Sequence, residues 1–326
     1  MEHQEFKGGP DSYNSENFWK TSQIQSQSNI AIPSSWPKRQ RHTMPNNPPN
    51  KQQRSSVTMH ALNVIAVTYF VWLLITSFIG TAYYFGPAIY DPDTLYVIRA
   101  VFCFILINVV VNHILVITTA YRSTYTKMTQ TNELPDPSWS YCHTCQMDIP
   151  PRCHHCALCG ICILKHDHHC FFTASCIGFY NQRYFTVFCF YVMVGTGFSG
   201  SVLYQYINSE HLSDSGSVHL LLPVALVETL SGYATWHFLS IIILLNFTFG
   251  TFLGSGYYWV LQMWIIYRGQ TCHEFMKKDK TYATNPNLRF RSVFGPLWLM
   301  NFLVPLVCFS NKGNGIDWVE HTYKYI

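Results

Sequence analysis

Four long hydrophobic runs dominate the pattern of apolar and polar positions along the chain. They cover residues 61–84, 100–121, 184–207 and 234–267, and none of them contains Asp, Glu, Lys or Arg. A helix needs about 20 mostly apolar residues to cross a bilayer, where its backbone polar groups must bond to one another. The pattern therefore predicts four transmembrane helices. The last run is longer than a span needs, so we expect its end to continue out of the bilayer as helix.

The first 56 residues have the opposite character. They are rich in Ser, Asn, Gln and Pro and contain almost no apolar cluster. Such a segment cannot bury enough apolar surface to offset the entropy lost on ordering, which predicts a disordered arm. The segment also lacks an apolar stretch behind a basic start, so we do not expect a cleavable signal peptide.

Lys and Arg are distributed unevenly over the segments that flank the predicted spans. The N-terminal arm holds seven, residues 122–183 hold five and the segment from 268 onward holds eight, whereas 85–98 and 208–233 hold none. Cytosolic flanks carry the excess of Lys and Arg, so both termini and the loop between spans two and three are expected in the cytosol. We expect a multi-pass protein of an endomembrane, the Golgi or the endoplasmic reticulum.

The composition agrees with this interpretation. Hydrophobic residues make up 48% of the chain and charged residues 12%, whereas about 25% of the residues of a soluble domain are charged. An ordinary soluble globular protein is therefore not expected. The net charge of +4, without a long basic run, also argues against a nucleic-acid-binding protein.

Cysteine and histidine are concentrated in one short stretch. Eight of the twelve cysteines lie between Cys142 and Cys176, together with six histidines. Mixed Cys and His at short spacing are typical of metal sites in a reducing compartment. The cysteine pairs 142/145, 156/159 and 159/162 each enclose two residues, and together they supply more ligands than one tetrahedral zinc can bind. Two zinc ions with eight ligands are the simplest count, and a set of buried cysteines without metal is the alternative.

These patterns predict an all-α polytopic membrane protein with four transmembrane helices and a cytosolic cysteine-rich two-zinc domain between spans two and three. The predicted segments are a disordered cytosolic arm at 1–56, transmembrane helices 1 and 2 at 57–121, the zinc domain at 122–183, transmembrane helices 3 and 4 at 184–267, and a cytosolic C-terminal tail at 268–326.

The stretch from Tyr141 to Phe185 resembles the cysteine-rich domain of the DHHC protein S-acyltransferases, or palmitoyltransferases. Asp167-His168-His169-Cys170 is the motif that names this family, and Asn181 and Phe185 match its trailing Asn-x3-Phe pattern. The predicted position of the motif, on a cytosolic loop between spans two and three, also agrees with the family's layout.

The resemblance implies how the metal ligands divide. One structural zinc ion would be held by Cys142, Cys145, His155 and Cys162. The second would be held by Cys156, Cys159, His169 and Cys176. Cys153 and His154 are left over, and their spacing alone does not exclude them as ligands.

The resemblance also implies a catalytic role for Asp167, His168 and Cys170. Cys170 would be the nucleophile, His168 its base and Asp167 the carboxylate that orients the imidazole, which suits a cysteine that attacks as thiolate. The implied reaction moves a palmitoyl group from acyl-CoA to Cys170 and then to cysteines of substrate proteins at the cytosolic face of the bilayer. The alternative is that Cys170 is another zinc ligand.

Further residues are expected at the edge of this site. Thr271 and Glu274 match the first and last residues of the family's Thr-Thr-x-Glu motif and are expected, with Asn181, to support the zinc-bearing loop; a solvated helix end is the alternative for the first two. Three cations are loose candidates for contacts with the CoA phosphates: Lys165, Arg183 and Arg268.

The chain also departs from the family pattern. Phe171-Phe172 stands where Pro-Trp is usual, Ser175 stands in place of an asparagine, and Arg289 replaces an asparagine in the C-terminal motif. These departures keep a second function open, a catalytically weak or inactive zinc-binding membrane scaffold that recruits partners. A RING-type ubiquitin ligase is excluded, because a RING closes with a second Cys-x2-Cys pair and here Cys170 and Cys176 are separated by five residues.

Overall fold

The computed structural model describes residues 50–126, 138–210, 217–279, 286–304, 311 and 313–318 of the chain. Residues 1–49 of the predicted disordered arm lie outside this described part. The boundaries of the five predicted segments stay a prediction.

The described part is mostly helical. In chain order the helices are α1 (Asn50–Ile79), α2 (Gly86–Ile89), α3 (Pro92–Ala120), α4 (Gln182–Glu210), α5 (Leu222–Leu230), α6 (Trp236–Arg268), α7 (Cys272–Lys277) and α8 (Pro286–Phe294). A π-helical segment, Gly80–Phe85, joins α1 to α2. Four stretches are long and apolar enough to cross a membrane, as the hydrophobic runs predict: Val57–Ile89, Pro92–Ser123, Gln182–Ser209 and Trp236–Arg268.

Local sequence signals set the two ends of α6. Thr235 caps the start of α6, where its side chain accepts a hydrogen bond from the amide of Phe238 at 3.1 Å. Gly269 ends α6 in the left-handed region at φ +69°, which a residue without a Cβ adopts at little cost. Helix α7 then begins almost at once, so the end of α6 and the start of α7 lie close together.

Helix α4 is the centre of the helical bundle. It packs against both α3 and α6, and it is the most buried of the four membrane-spanning candidates. Helix α1 is the least buried of the four. The main apolar core accordingly lies around the N-terminal half of α4, between Phe102, Val116, Phe185 and Phe188.

The cysteine-rich loop forms three small antiparallel sheets. Its strands are β1 (Thr124–Tyr125), β2 (Ser140–Cys142), β3 (Met147–Ile149), β4 (His154–Cys156), β5 (Ile161–Ile163), β6 (His168–Cys170) and β7 (Ser175–Ile177). In the first sheet β5 pairs with both β1 and β4, in the second β2 pairs with β3, and in the third β6 pairs with β7. In these registers His155 lies opposite Cys162, and His169 lies opposite Cys176. Strand pairing therefore brings predicted zinc ligands next to each other.

Candidate active site and metal centres

The first group of possible metal ligands is Cys142, Cys145, His155 and Cys162. One donor atom from each residue lies within 4.8 Å of all the others. The Cys145 Sγ atom is 3.3 Å from His155 Nδ1, and the amide of Cys145 donates to Cys142 Sγ at 3.4 Å. A backbone donor to the sulfur is the geometry of a tight Cys-x2-Cys turn, which presents both thiolates to one ion.

The second group is Cys156, Cys159, His169 and Cys176, again with donor atoms within 4.8 Å of one another. His169 Nδ1 lies 3.3 Å from Cys159 Sγ, and the sulfurs of Cys159 and Cys176 are 3.4 Å apart. The other ring nitrogen, Nε2, donates to Asn63 Oδ1 on α1 at 3.2 Å. This hydrogen bond fixes the ring so that Nδ1 is free to bind metal.

Both groups have the membership that the resemblance implies. Three thiols and one imidazole are a common donor set for structural zinc, and neighbouring ligand atoms in a tetrahedral site lie about 3.5–3.8 Å apart. The spacing and chemistry of the donors therefore fit zinc, and the loop is a zinc-binding region.

Cys153, which spacing alone could not exclude as a ligand, lies in neither group. Its side chain is buried in an apolar cluster with Tyr125, Met147 and Phe179. Burial raises the pKa of the Cys153 thiol to about 12, with a further contribution from the nearby Cys142 and Cys145. The environment thus favours a neutral thiol over a metal-binding thiolate.

Strand β6 separates the two adjacent histidines of the motif. Successive side chains of a strand point to opposite faces, so His168 and Cys170 share one face and His169 lies on the other. The His168 imidazole is held between aromatic rings, with its centroid 5.1 Å from that of Phe185 and 5.9 Å from that of Tyr258. His169 is therefore directed to the second ligand group while His168 faces Cys170.

Asp167 is buried and accepts three hydrogen bonds. His168 Nδ1 donates to Oδ2 at 2.8 Å, and Gln262 Nε2 on α6 donates to the same oxygen at 2.7 Å. The backbone amide of Cys272, at the start of α7, donates to Oδ1 at 2.6 Å. These donors outweigh burial, which alone would raise the pKa of Asp167, and the pKa is lowered. Asp167 is therefore a carboxylate that holds His168 by its Nδ1–H.

The surroundings of His168 and Cys170 favour the charged forms of both side chains. Burial alone would lower the pKa of His168, but hydrogen bonds to Asp167 and Cys170 raise it to about 10. Burial alone would raise the pKa of Cys170, but the hydrogen bond from His168 outweighs it and the pKa is lowered. At neutral pH this environment favours a thiolate on Cys170 beside an imidazolium, the state in which a cysteine attacks.

A cavity of about 260 Å³ opens beside Cys170 between α1, α4 and α6. Its walls are mostly apolar and include Phe70 on α1 and Phe188 and Cys189 on α4. On α6 the wall includes Gly250 and Gly254, where a Cβ atom would have no neighbour within 4 Å. The nucleophile candidate thus faces open apolar space among membrane-spanning helices, which suits a hydrocarbon chain.

Comparisons with known proteins agree with this geometry. A family model described as DHHC palmitoyltransferase matches residues 136–279. Residues 136–279 form a DHHC palmitoyltransferase domain. Palmitoyltransferase ZDHHC22 of Mus musculus is 29% identical over 266 residues, which cover 77% of this chain and 95% of that relative. Probable palmitoyltransferase ZDHHC24 of Danio rerio is 31% identical over 182 residues, 55% of this chain and 61% of that protein.

A third similar protein comes from another organism. Putative ZDHHC-type palmitoyltransferase 4 of Dictyostelium discoideum is 37% identical over 185 residues, 55% of this chain and 47% of that protein. The matched DHHC domain, the similar palmitoyltransferases, the four apolar helices and the two Cys/His groups confirm the predicted fold class and the predicted enzyme class, a protein-cysteine S-palmitoyltransferase.

In this DHHC protein, Thr271 and Glu274 form the capping box of α7. The Thr271 hydroxyl accepts from the amide of Glu274 at 3.2 Å, and the Glu274 carboxylate accepts from the amide of Thr271 at 2.9 Å. Glu274 also receives two hydrogen bonds from Arg152 of the zinc-binding loop, at 2.7 and 2.8 Å, and both side chains are buried. The Arg152 guanidinium lies 4.4 Å from the ring centroid of Trp318, near the C-terminal end of the described part.

Asn181 is fully buried where the loop meets α4. Its Nδ2 donates to the carbonyl of Cys176 at 2.9 Å and to that of Val116 on α3 at 3.2 Å. Its Oδ1 accepts from the amide of Gly178 at 2.8 Å. Asn181 therefore joins the backbone of a predicted zinc ligand to a membrane-spanning helix.

The residues that depart from the family pattern have defined contacts. Phe171 and Phe172 lie in a 3₁₀ turn and line the cavity, and the carbonyl of Phe172 accepts a hydrogen bond from His113 Nε2 on α3 at 3.0 Å. The Phe171 ring packs against His169, with ring centroids 5.4 Å apart. Arg289 donates to the carbonyl of Tyr267 in the last turn of α6, a favourable position for a cation.

The three cations named for the CoA phosphates differ in exposure. Lys165 and Arg183 are buried, and Lys165 Nζ donates to Gln182 Oε1 at 2.8 Å. Burial also lowers the pKa of Lys165, to about 7. Arg268 is half-buried and donates through Nε to Gln270 Oε1 at 3.1 Å. A buried cation surrounded by protein is a poor partner for a phosphate that stays in water, so Arg268 is the best placed of the three.

The sequence alone did not single out Asn63, Gln182 or Gln262, which contact the site from the membrane-spanning helices. The available signal was weak, since an isolated amide within an apolar run is more often explained by helix–helix hydrogen bonding.

Proposed function

We propose that this protein moves a palmitoyl group from acyl-CoA to Cys170 and from Cys170 to cysteines of substrate proteins. One observation carries the proposal. Cys170 is a buried thiol that belongs to neither ligand group, interacts with His168 and opens onto an apolar cavity between membrane-spanning helices.

In the first step the Cys170 thiolate attacks the carbonyl carbon of the acyl-CoA thioester. The tetrahedral intermediate collapses, the bond from carbon to the CoA sulfur breaks, and the CoA thiolate leaves with the proton of the His168 imidazolium. The products are acyl-Cys170 and CoA. Asp167 keeps the imidazole in the tautomer that carries hydrogen on Nδ1 and stabilises its charged form.

In the second step a substrate cysteine gives its proton to His168 and attacks the acyl-Cys170 carbonyl. The Cys170 thiolate leaves and again pairs with the imidazolium. One thioester replaces another in each step, so little bond energy is at stake. The chain's contribution is to position the thioester and to stabilise the thiolate.

The rest of the molecule supports this chemistry. Two structural zinc ions, held by the two Cys/His groups, would stabilise a loop that has only small sheets. The acyl chain would lie in the cavity, where burial is favourable by about 0.8 kcal/mol per CH2 group. Arg268, at the end of α6, is the candidate for contact with the CoA phosphates. The excess of Lys and Arg in the flanking segments supports cytosolic termini. The proposed location is an endomembrane, the Golgi or the endoplasmic reticulum.

A transfer assay distinguishes the enzyme from the zinc-binding scaffold. The purified full chain in lipid vesicles would be mixed with alkyne-tagged palmitoyl-CoA and a membrane-anchored peptide that contains one cysteine. We expect tagged peptide and released CoA to accumulate together, at one CoA per acyl group. If the protein binds zinc normally but neither product exceeds the level of empty vesicles, the scaffold function replaces this proposal.

A further inference from the structure

A continuous chain of buried hydrogen bonds ends on Asp167. Lys165 Nζ donates to Gln182 Oε1 at 2.8 Å, and Gln182 Nε2 donates to Gln262 Oε1 at 3.1 Å. Gln262 Nε2 then donates to Asp167 Oδ2 at 2.7 Å. Gln182 and Gln262 are each only 1% exposed, Asp167 is 3% exposed and Lys165 is 9% exposed. Water therefore has little access to the chain.

The two ends of the chain determine the orientation of both amides. A lysine amine donates and a carboxylate accepts, whereas a glutamine amide has one accepting end and one donating end. Because Lys165 occupies the oxygen of Gln182, the NH2 group of Gln182 faces Gln262. Because that NH2 group occupies the oxygen of Gln262, the NH2 group of Gln262 faces Asp167. The opposite orientation would leave a buried oxygen beside the carboxylate.

The hydrogen bond from Gln262 is made to the same Asp167 oxygen that holds His168, the proposed base. Asp167 Oδ2 accepts from both Gln262 Nε2 and His168 Nδ1. The position of Oδ2 thus sets the position of the imidazole, and with it the direction from His168 to Cys170. Displacement of a positioned group by about 1 Å can lower a rate about a hundredfold.

The chain also joins three separate parts of the fold. Lys165 and Asp167 lie in the zinc-binding loop, Gln182 is the first residue of α4, and Gln262 lies near the C-terminal end of α6. The position of the carboxylate is therefore linked to two membrane-spanning helices that also line the cavity.

We propose that Gln262 is a positioning residue for the reaction, which orients Asp167 and through it His168, and that Lys165 and Gln182 set the orientation of its amide. The proposal rests on the function proposed above for Asp167, His168 and Cys170. It gives Lys165 a role inside the protein instead of at the CoA phosphates.

The first test replaces Gln262 by methionine, which is unbranched and of similar size but has no amide. Loss of one hydrogen bond to a charged group is expected to lower the single-turnover rate of acyl loading about tenfold. The palmitoyl-CoA concentration at half-maximal rate and the zinc content should stay unchanged, since Gln262 neither lines the cavity nor belongs to a ligand group. Gln205→Leu, an exposed glutamine of α4 that accepts a hydrogen bond from Tyr90 at 3.1 Å, is the matched control and should load at the wild-type rate.

A double-mutant cycle tests whether Lys165 and Gln182 affect the loading rate through Gln262 or independently of it. Lys165→Met and Gln182→Met should each slow loading in the wild-type background and have no further effect in the Gln262→Met background. Effects that add across the cycle would overturn the proposal, and so would wild-type rates in all three single variants. If Gln262→Met fails to bind zinc, the same cycle would be measured with Lys165→Met, Gln182→Met and the double variant, whose effects on the loading rate should again not add.

Alkylation of Cys170 by iodoacetamide, followed by mass spectrometry of its peptide, distinguishes the failure of this proposal from that of the proposed function. This reaction needs no acyl-CoA. It should slow in Gln262→Met and stay unchanged in Gln205→Leu. A wild-type protein that does not load palmitate would overturn the proposed function, whereas equal alkylation of wild type and Gln262→Met would overturn the positioning role.

Discussion

At the scale of residues, the site depends on two adjacent histidines with different surroundings. His168 donates to Asp167 and interacts with Cys170, whereas His169 lies among the sulfurs of the second ligand group and donates to Asn63. The alternation of side chains along β6 accounts for the difference. We therefore expect replacements of the two residues to fail in different ways.

We predict that His168→Ala retains zinc and fold but slows acyl loading about a hundredfold or more at neutral pH. The hydrogen bond that lowers the pKa of Cys170 is lost, so burial dominates and the pKa of Cys170 rises. The thiolate fraction then grows as the pH increases, and the loading rate should partly recover. The rate would be measured from neutral to alkaline pH beside the zinc content.

His169→Ala provides the comparison. It should lose one zinc ion and destabilise the loop, without recovery at high pH. If His168→Ala loses metal while His169→Ala keeps it and recovers at high pH, the two roles are reversed.

At the scale of elements, the β4–β5 hairpin is shared by both ligand groups. It provides His155 and Cys162 to the first and Cys156 and Cys159 to the second. Strand β2 contributes Cys142 to the first group only. Because the loop is built of two- and three-residue strands, metal binding is expected to supply much of its folding free energy.

We predict about two zinc ions per chain for the wild type and about one for Cys142→Ala, measured by elemental analysis of purified protein. The variant should also be cleaved faster by protease between β2 and β3. Cys153→Ala is the matched control, since Cys153 is a buried cysteine of the same loop outside both groups. Two zinc ions in Cys142→Ala, or loss of zinc in Cys153→Ala, would show that the ligand groups are incorrect.

The spans could be predicted from the sequence because a bilayer allows few alternatives for an uncharged apolar run of this length. The composition of the ligand groups came from the family motif, since spacing left Cys153 as a further candidate. The amide of Gln262 could not be assigned, because its role depends on Asp167, which is 95 positions away in the chain. Lys165 was a loose candidate for contact with the CoA phosphates, and only the fold reveals that its amine donates to Gln182 in the interior.

At the scale of the whole molecule, the site lies where the zinc-binding loop meets the membrane-spanning helices. Helix α1 reaches the loop through Asn63, α6 and α7 reach Asp167, and Glu274 of α7 binds Arg152 of the loop. The cavity beside Cys170 lies between helices of the same bundle. In the proposed function, this arrangement would place the Cys170 thiolate at the end of an apolar space, within reach of the carbonyl of a membrane-embedded acyl chain.

The central claim is that an acyl–Cys170 thioester forms. The most direct measurement is mass spectrometry of protein incubated with palmitoyl-CoA and digested with and without hydroxylamine. We predict one hydroxylamine-labile palmitoyl group on the peptide that contains Cys170, retained in Cys189→Ser, which changes the other cysteine of the cavity, and absent in Cys170→Ser. Equal labelling of Cys170→Ser and wild type, or a label on Cys189 alone, would contradict the account.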